Sequence, residues 1–138
     1  MRPINEIIVH CSATEAGKDF KAADIKRWHV QGNKWKDIGY HFVIDLDGTI
    51  EVGRPMEMKG AHTTNHNENT IGICYVGGLQ YGKAADTRTE AQKKSLRSLI
   101  QVLKSCFPTI VKVSGHRDYA NKACPCFDAG GEYQSLVK

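Results

Sequence analysis

Glu6-Ile7-Ile8-Val9-His10-Cys11 is a short β-branched run, the type of segment buried in a central strand, and it carries an imidazole near its C-terminal end. Outward from it the chain alternates between element types. Ser12 to Phe20 is polar and contains glycine, so it reads as loop. Ile25, Trp28 and His29 recur at i, i+3 and i+4 ahead of Gly32, which predicts a short amphipathic helix with a glycine stop. Tyr40 to Leu46 and Thr49 to Val52 flank Asp47-Gly48, a pair favoured in a two-residue type I′ turn, and predict a hairpin. Gly53 to Asn69 holds too many Gly, Pro, Asn and Thr residues for a regular element and reads as an ordered surface loop. Thr70 to Val76 is a further β-rich run, ending at Gly77-Gly78. Thr89-x-x-Gln92 then forms a capping box. Behind it Leu96, Leu99, Ile100, Leu103 and Phe107 make a helical apolar stripe that Pro108 stops. Thr109 to Ser114 is the last strand. The order β-α-β-β-β-α-β predicts an α/β fold, a single domain with a central mixed sheet of about five strands flanked by helices.

The chain of 138 residues fits one domain over residues 1–138 and can bury a single core without staples. No apolar run approaches the ~18 residues a membrane span requires, so no membrane insertion is expected. The start, Met1-Arg2-Pro3-Ile4-Asn5-Glu6, lacks the apolar core of a signal peptide. Five cysteines form no secreted disulfide pattern, and reduced thiols with a metal ligand among them are the simpler account. Cys11, Cys74 and Cys106 lie in apolar segments and read as small buried hydrophobes. The net charge of +4 comes from scattered residues, and Lys93, Lys94 and Arg97 read as a solvated helix face, so no nucleic-acid partner is predicted.

The chemistry concentrates in Ser114-Gly115-His116-Arg117-Asp118-Tyr119-Ala120-Asn121-Lys122-Ala123-Cys124-Pro125-Cys126-Phe127-Asp128. Imidazole and thiolate are preferred zinc ligands, and a lysine beside a metal stabilises developing negative charge. His10 ends the first strand and His116 follows the last. If those strands are neighbours, both imidazoles emerge at one edge of the sheet, where loops build ligand sites. Spacing alone leaves His10 equally readable as a hydrogen-bonded core histidine. One residue separates Cys124 from Cys126, so the two thiols cannot easily share one tetrahedral ion.

Val9-His10-Cys11-Ser12-Ala13-Thr14, Gly39-Tyr40-His41-Phe42, Asp47-Gly48-Thr49-Ile50, Gly53-Arg54-Pro55, Gly60-Ala61-His62 and Asn69-Thr70-Ile71-Gly72-Ile73 occur in that order. With the stretch above, from residue 4 to residue 128, they resemble the type-2 N-acetylmuramoyl-L-alanine amidases, a family that includes bacteriophage lysozyme-like amidases and animal peptidoglycan recognition proteins. The resemblance implies one Zn2+ ion held by His10, His116 and Cys124, the thiol that precedes Pro125. Cys126 matches a position where other small residues occur. Three protein ligands would leave a fourth position for water, the arrangement of a catalytic zinc. Tyr40 and Lys122 match the two accessory catalytic positions, Lys122 as the expected oxyanion donor. His62 matches a histidine beside the substrate groove, while Asn67, Asn69 and Arg54 are expected either to meet peptide carboxylates or sugar groups or to stabilise their loop. His41, next to Tyr40, is expected to face away from it and support the structure, and Trp35 to pack at the core or rim.

The implied reaction is hydrolysis of the amide between N-acetylmuramic acid and L-alanine in peptidoglycan, with the muropeptide as partner and a monomeric enzyme. The alternative is a peptidoglycan-binding module without catalysis; binding-only relatives have lost the ligand cysteine, which this chain retains. A glycosidase would need paired carboxylates, and Asp45, Asp47 and Glu51 suggest no clear pair. Synthesis in the cytoplasm, with action on the wall after release or assisted export, is the expected biology. After Asp128 the chain is short and rich in glycine, which leaves the groove shape at that end open.

Overall fold

In a computed structural model describing residues 1–138, the run Glu6–Cys11 is buried at every position. It forms β1 (Glu6–Cys11), followed by β2 (Thr14–Glu15), β3 (Phe42–Ile44), β4 (Ile50–Val52), β5 (Thr70–Tyr75), β6 (Gly78–Gln80), β7 (Lys83–Ala84) and β8 (Lys112–Gly115). The main sheet has five strands in the order β4-β3-β5-β1-β8. β1 runs parallel to both β5 and β8, β3 is parallel to β5, and only β4 is antiparallel. A parallel strand with neighbours on both sides must be apolar on both faces, which is why β1 reads as a continuous apolar run. Side chains alternate across it. Ile7, Val9 and Cys11 enter the larger core, and Ile8 and His10 take the opposite face.

Three helices complete the frame: α1 (Ala22–Arg27), α2 (Glu90–Cys106) and α3 (Ala129–Tyr133). Leu96, Leu99, Ile100 and Leu103 of α2 join Ile7, Val9, Ile71 and Ile73 in the larger core. A smaller core sets Ile25 of α1 against Ile38, Val43, Cys74 and Val76. The capping box of α2 forms, with Thr89 Oγ1 accepting from the Gln92 N–H at 3.0 Å and Gln92 Oε1 accepting from the Thr89 N–H at 2.9 Å. Gln92 also donates through Nε2 to the carbonyls of Ile44 and Val76, tying the helix start to two strand ends.

Four expectations need correcting. The Asp47-Gly48 loop is not a two-residue type I′ turn: Asp45 pairs with Thr49, and the Gly48 N–H donates to the Asp45 carbonyl. Only Gly48 has positive φ (+89°), so the loop is a three-residue turn closed by a left-handed glycine. Asp47 keeps ordinary backbone angles because its Oδ1 accepts from the Thr49 N–H. Cys106 is exposed, since it ends α2 on the side away from the core. The segment between Ser12 and Phe20 is not all loop, because β2 pairs with β6 in a small separate sheet with β7. After α1 the backbone widens into a π-helical turn, Trp28–Gly32. The C-terminal end does fold inward: Tyr133 and Val137 are buried, and the Arg88 guanidinium bonds Asp86, Glu132 and the Tyr133 hydroxyl while lying 3.4 Å over the Phe127 ring.

Candidate metal centre and cleft

Parallel pairing places Val9 opposite Gly115, so His10 and His116 leave β1 and β8 side by side, their rings 4.6 Å apart. Cys124 returns to them from the following loop. Its carbonyl accepts from the Arg117 N–H at 2.7 Å, and its Sγ accepts from the Cys11 N–H at 3.1 Å. One donor atom from each of His10, His116 and Cys124 lies within 4.8 Å of the other two, and His10 Nδ1 is 3.9 Å from Cys124 Sγ. Zinc bonds of about 2.0–2.3 Å in a tetrahedron imply donor separations of roughly 3.5 Å, so a small contraction would seat an ion. The donor set, two imidazoles and one thiol, is one that suits zinc.

Electrostatics favour neutral imidazoles here, as ligation requires. Burial holds His10 well below its ordinary pKa, with the His62, His116 and Lys122 charges adding to the effect. Burial and then Lys122 lower His116. Cys11, hydrogen-bonded to Cys124 and buried, is pushed far above the usual thiol range, so it stays protonated. Cys126 adopts a left-handed backbone (φ +73°), and its Sγ donates to the Gly78 carbonyl at 3.4 Å. That contact takes the second thiol away from the cluster, and burial raises it to about 11.

A cleft of about 280 Å³ opens beside the cluster, lined by Trp35, Ala61, His62, Thr63, Thr64, Asn67, His116 and Lys122. Lys122 is exposed on its lip. Tyr40 does not line this cleft but lies against His10, ring centroids 5.1 Å apart, and burial, followed by the neighbouring Cys74, Cys124 and Cys11 thiols, raises its phenol well above the ordinary value. Tyr40 is therefore a hydrogen-bond donor at neutral pH.

The remaining site candidates separate into two groups. His62 and Asn67 line the cleft, yet His62 is 8% exposed and Asn67 Oδ1 accepts from the N–H groups of His62 and Thr63. Arg54 does not line the cleft. All three of its guanidinium nitrogens bond carbonyls, those of Ile38, Lys59 and Asp37, which is the loop-stabilising arrangement. Asn69 likewise donates to the Pro3 carbonyl. His41 is buried, accepting from the Gly72 N–H through Nδ1. The hairpin brings Asp45 and Glu51 near enough for the Glu51 carboxyl to help raise Asp45. Asp45 is buried and Glu51 accepts from the Ala22 N–H, so the two do not flank an open site as a glycosidase pair must.

The sequence reading missed Thr63 and Thr70, both buried against the histidines. The available signal was Gly72, a glycine inside a buried strand, which marks a close approach. A β-carbon there would lie 2.5 Å from His62 Cδ2.

Residues 1–127 match the family described as N-acetylmuramoyl-L-alanine amidase. The endolysin of Klebsiella phage KP32 is 42% identical over 125 residues, covering 90% of this chain and 82% of that protein. The endolysin of Enterobacteria phage T3 is 44% identical over 123 residues, 88% of this chain and 80% of its own length. Among solved structures, the N-acetylmuramoyl-L-alanine amidase LysC from Clostridium intestinale URNW is similar with a TM-score of 0.79 at 28% identity, over 95% of this chain and 82% of that one. With its ligand cluster, cleft and sheet order already in place, the chain belongs to the N-acetylmuramoyl-L-alanine amidase family.

Proposed function

We propose that residues 1–138 form one catalytic domain that hydrolyses the amide between the lactyl group of N-acetylmuramic acid and the L-alanine of the peptidoglycan stem, using one zinc ion. The observation that carries this reading is the cluster of His10, His116 and Cys124 beside an open cleft that His116 lines. Three protein donors leave one coordination position free, as catalytic zinc sites do. Zinc in this place supplies Lewis acidity and brings the pKa of water toward ~7.

The chain's own residues do the rest. Hydrolysis adds water across the C–N bond, leaving a carboxylate on the lactyl side and an amine on alanine that takes up a proton. Negative charge builds on the carbonyl oxygen as the carbon becomes tetrahedral. Lys122 would donate to that oxygen, a reading supported by its sharing the cleft with His116. Tyr40, held protonated beside His10, would donate a further hydrogen bond to the reacting groups. Trp35 and the Ala61–Thr64 segment wall the cleft and orient the muropeptide, with the Asn67 side chain at its edge.

The test is a digest of purified peptidoglycan, with the products resolved chemically. New alanine amino termini without new reducing sugars are expected. Reducing sugars in their place would overturn the reading, and binding without release would reduce the protein to a wall-binding module.

A further inference from the structure

The hydrogen bonds behind His10 have a direction, and it is fixed far from the metal. His10 Nδ1 faces Cys124 Sγ and so offers its lone pair to the ion, which puts the ring proton on Nε2. That Nε2 is 2.9 Å from His62 Nδ1 and 3.2 Å from Thr63 Oγ1. Two N–H groups cannot face each other at that distance, so His62 Nδ1 must accept and its own proton lies on Nε2. His62 Nε2 in turn is 3.3 Å from Thr70 Oγ1. The Thr70 hydroxyl has already committed its proton to the His66 carbonyl, at 2.6 Å. A hydroxyl in that position can only accept from an imidazole.

We infer that His62 and Thr70 are positioning residues that lock His10 in the metal-binding tautomer, through the relay His10 Nε2–H to His62 Nδ1, His62 Nε2–H to Thr70 Oγ1, and Thr70 O–H to the His66 carbonyl. This assigns His62 a role directed at the ligand instead of at the substrate, and it brings in Thr70, which does not line the cleft. Packing holds the relay in register. The His62 ring lies in a slot between two glycines, where a β-carbon on Gly72 or Gly60 would come within 2.5 or 2.6 Å of Cδ2. The ring is largely buried, and both of its nitrogens already have partners within the protein. Thr63 Oγ1, 2.9 Å from His62 Nδ1 and 3.2 Å from His10 Nε2, closes the triangle as a further acceptor for the His10 N–H. Outer partners of this kind raise ligand basicity and fix ring orientation, and losing one typically costs about 10–100-fold in metal affinity.

The inference rests on the zinc reading above, and its test reads the metal instead of turnover. Zinc affinity of the purified protein is measured by competition with a chromogenic chelator, for wild type, Thr70→Val, Thr70→Ser, His62→Phe and His62→Asn, with circular dichroism to confirm folding. Thr70→Val keeps the volume and removes the acceptor, so it is expected to weaken zinc binding by about 10-fold or more, as is His62→Phe. Thr70→Ser keeps the hydroxyl and is expected to bind like wild type. His62→Asn, whose amide oxygen can stand in for Nδ1, is expected to fall between wild type and His62→Phe. Unchanged affinity in folded Thr70→Val and His62→Phe would overturn the relay, as would equal losses in Thr70→Ser and Thr70→Val. A wild-type protein that binds zinc yet releases no alanine termini would sink the amidase reading while leaving the relay standing.

Discussion

Lys122 stands exposed at the cleft lip, and its charge is felt by both imidazoles of the cluster. Composition alone would make it one more solvated lysine. Its position in the same cleft as His116 is what supports the oxyanion role proposed for it. Lys122→Ala removes one oxyanion donor without touching a ligand, so zinc content should stay at the wild-type level while kcat falls about 100- to 1000-fold. Metal analysis alongside kinetics separates the two effects, and loss of zinc in this variant would make Lys122 a structural residue. What could be read in advance at this scale followed from chemistry local to a few residues. His116, Lys122 and Cys124 share one short stretch and were legible as a group. His10 was not joined to them by spacing, because its partner strand comes at the far end of the chain. Only parallel pairing of the two strands brings the imidazoles together. Thr70 left no chemical mark in the sequence at all, since a threonine opening a β-rich run is ordinary.

At the scale of elements, the hairpin of β3 and β4 carries an electrostatic cost that its sequence concealed. Asp45 ends buried, with Oδ1 lacking a hydrogen-bond partner and Oδ2 3.6 Å from Lys21 Nζ. Burial, and then the Glu51 carboxyl, raises Asp45 from 3.8 to about 7. Glu51 is itself committed, accepting from the Ala22 N–H at the start of α1. Between those two pKa values the folded protein holds a proton that the unfolded chain has lost. The contribution of Asp45 to stability therefore falls as pH rises through this window, and the cost is full above it. Asp45→Asn presents to Glu51 the donor that a protonated Asp45 would, and gives up only a bridge to a well-exposed lysine, which is worth little. The expected result is a Tm raised by about 2–4 °C at pH 8, with the gain shrinking toward zero at pH 4. A gain of equal size at both pH values would mean that Asp45 is not the titrating group. The elements themselves were largely legible where one local rule governs, as at the Thr89 capping box and the Leu96–Leu103 stripe. The turn at Asp47 was misread because two geometries share the Asp-Gly signature, and the side-chain bond from Asp47 to Thr49 decides between them.

Across the whole molecule, the donor cluster joins the first strand to the last and to the loop beyond it, so a metal bound there would tie together segments more than a hundred residues apart. The α/β order and the five-strand sheet were legible from periodicity and turn chemistry. The small β2-β6-β7 sheet was not, because strands of two or three residues carry no periodicity. Nor was the inward fold of the C-terminus, which depends on Arg88 reaching Glu132 and Tyr133. A ligand that binds only the folded state stabilises by RT ln(1 + [L]/Kd), which is about 2.7 kcal/mol at a free concentration 100-fold above Kd. For a domain of this size that corresponds to a Tm shift on the order of 10 °C between the zinc-loaded and chelator-stripped protein. Cys124→Ser, lacking one donor, should unfold at nearly the same temperature with or without zinc. Cys126→Ser should keep the full shift, because the Cys126 thiol is turned to the Gly78 carbonyl and away from the cluster. Calorimetry of the three proteins with and without metal makes the comparison, and a zinc shift that survives Cys124→Ser and disappears in Cys126→Ser would exchange the roles of the two thiols.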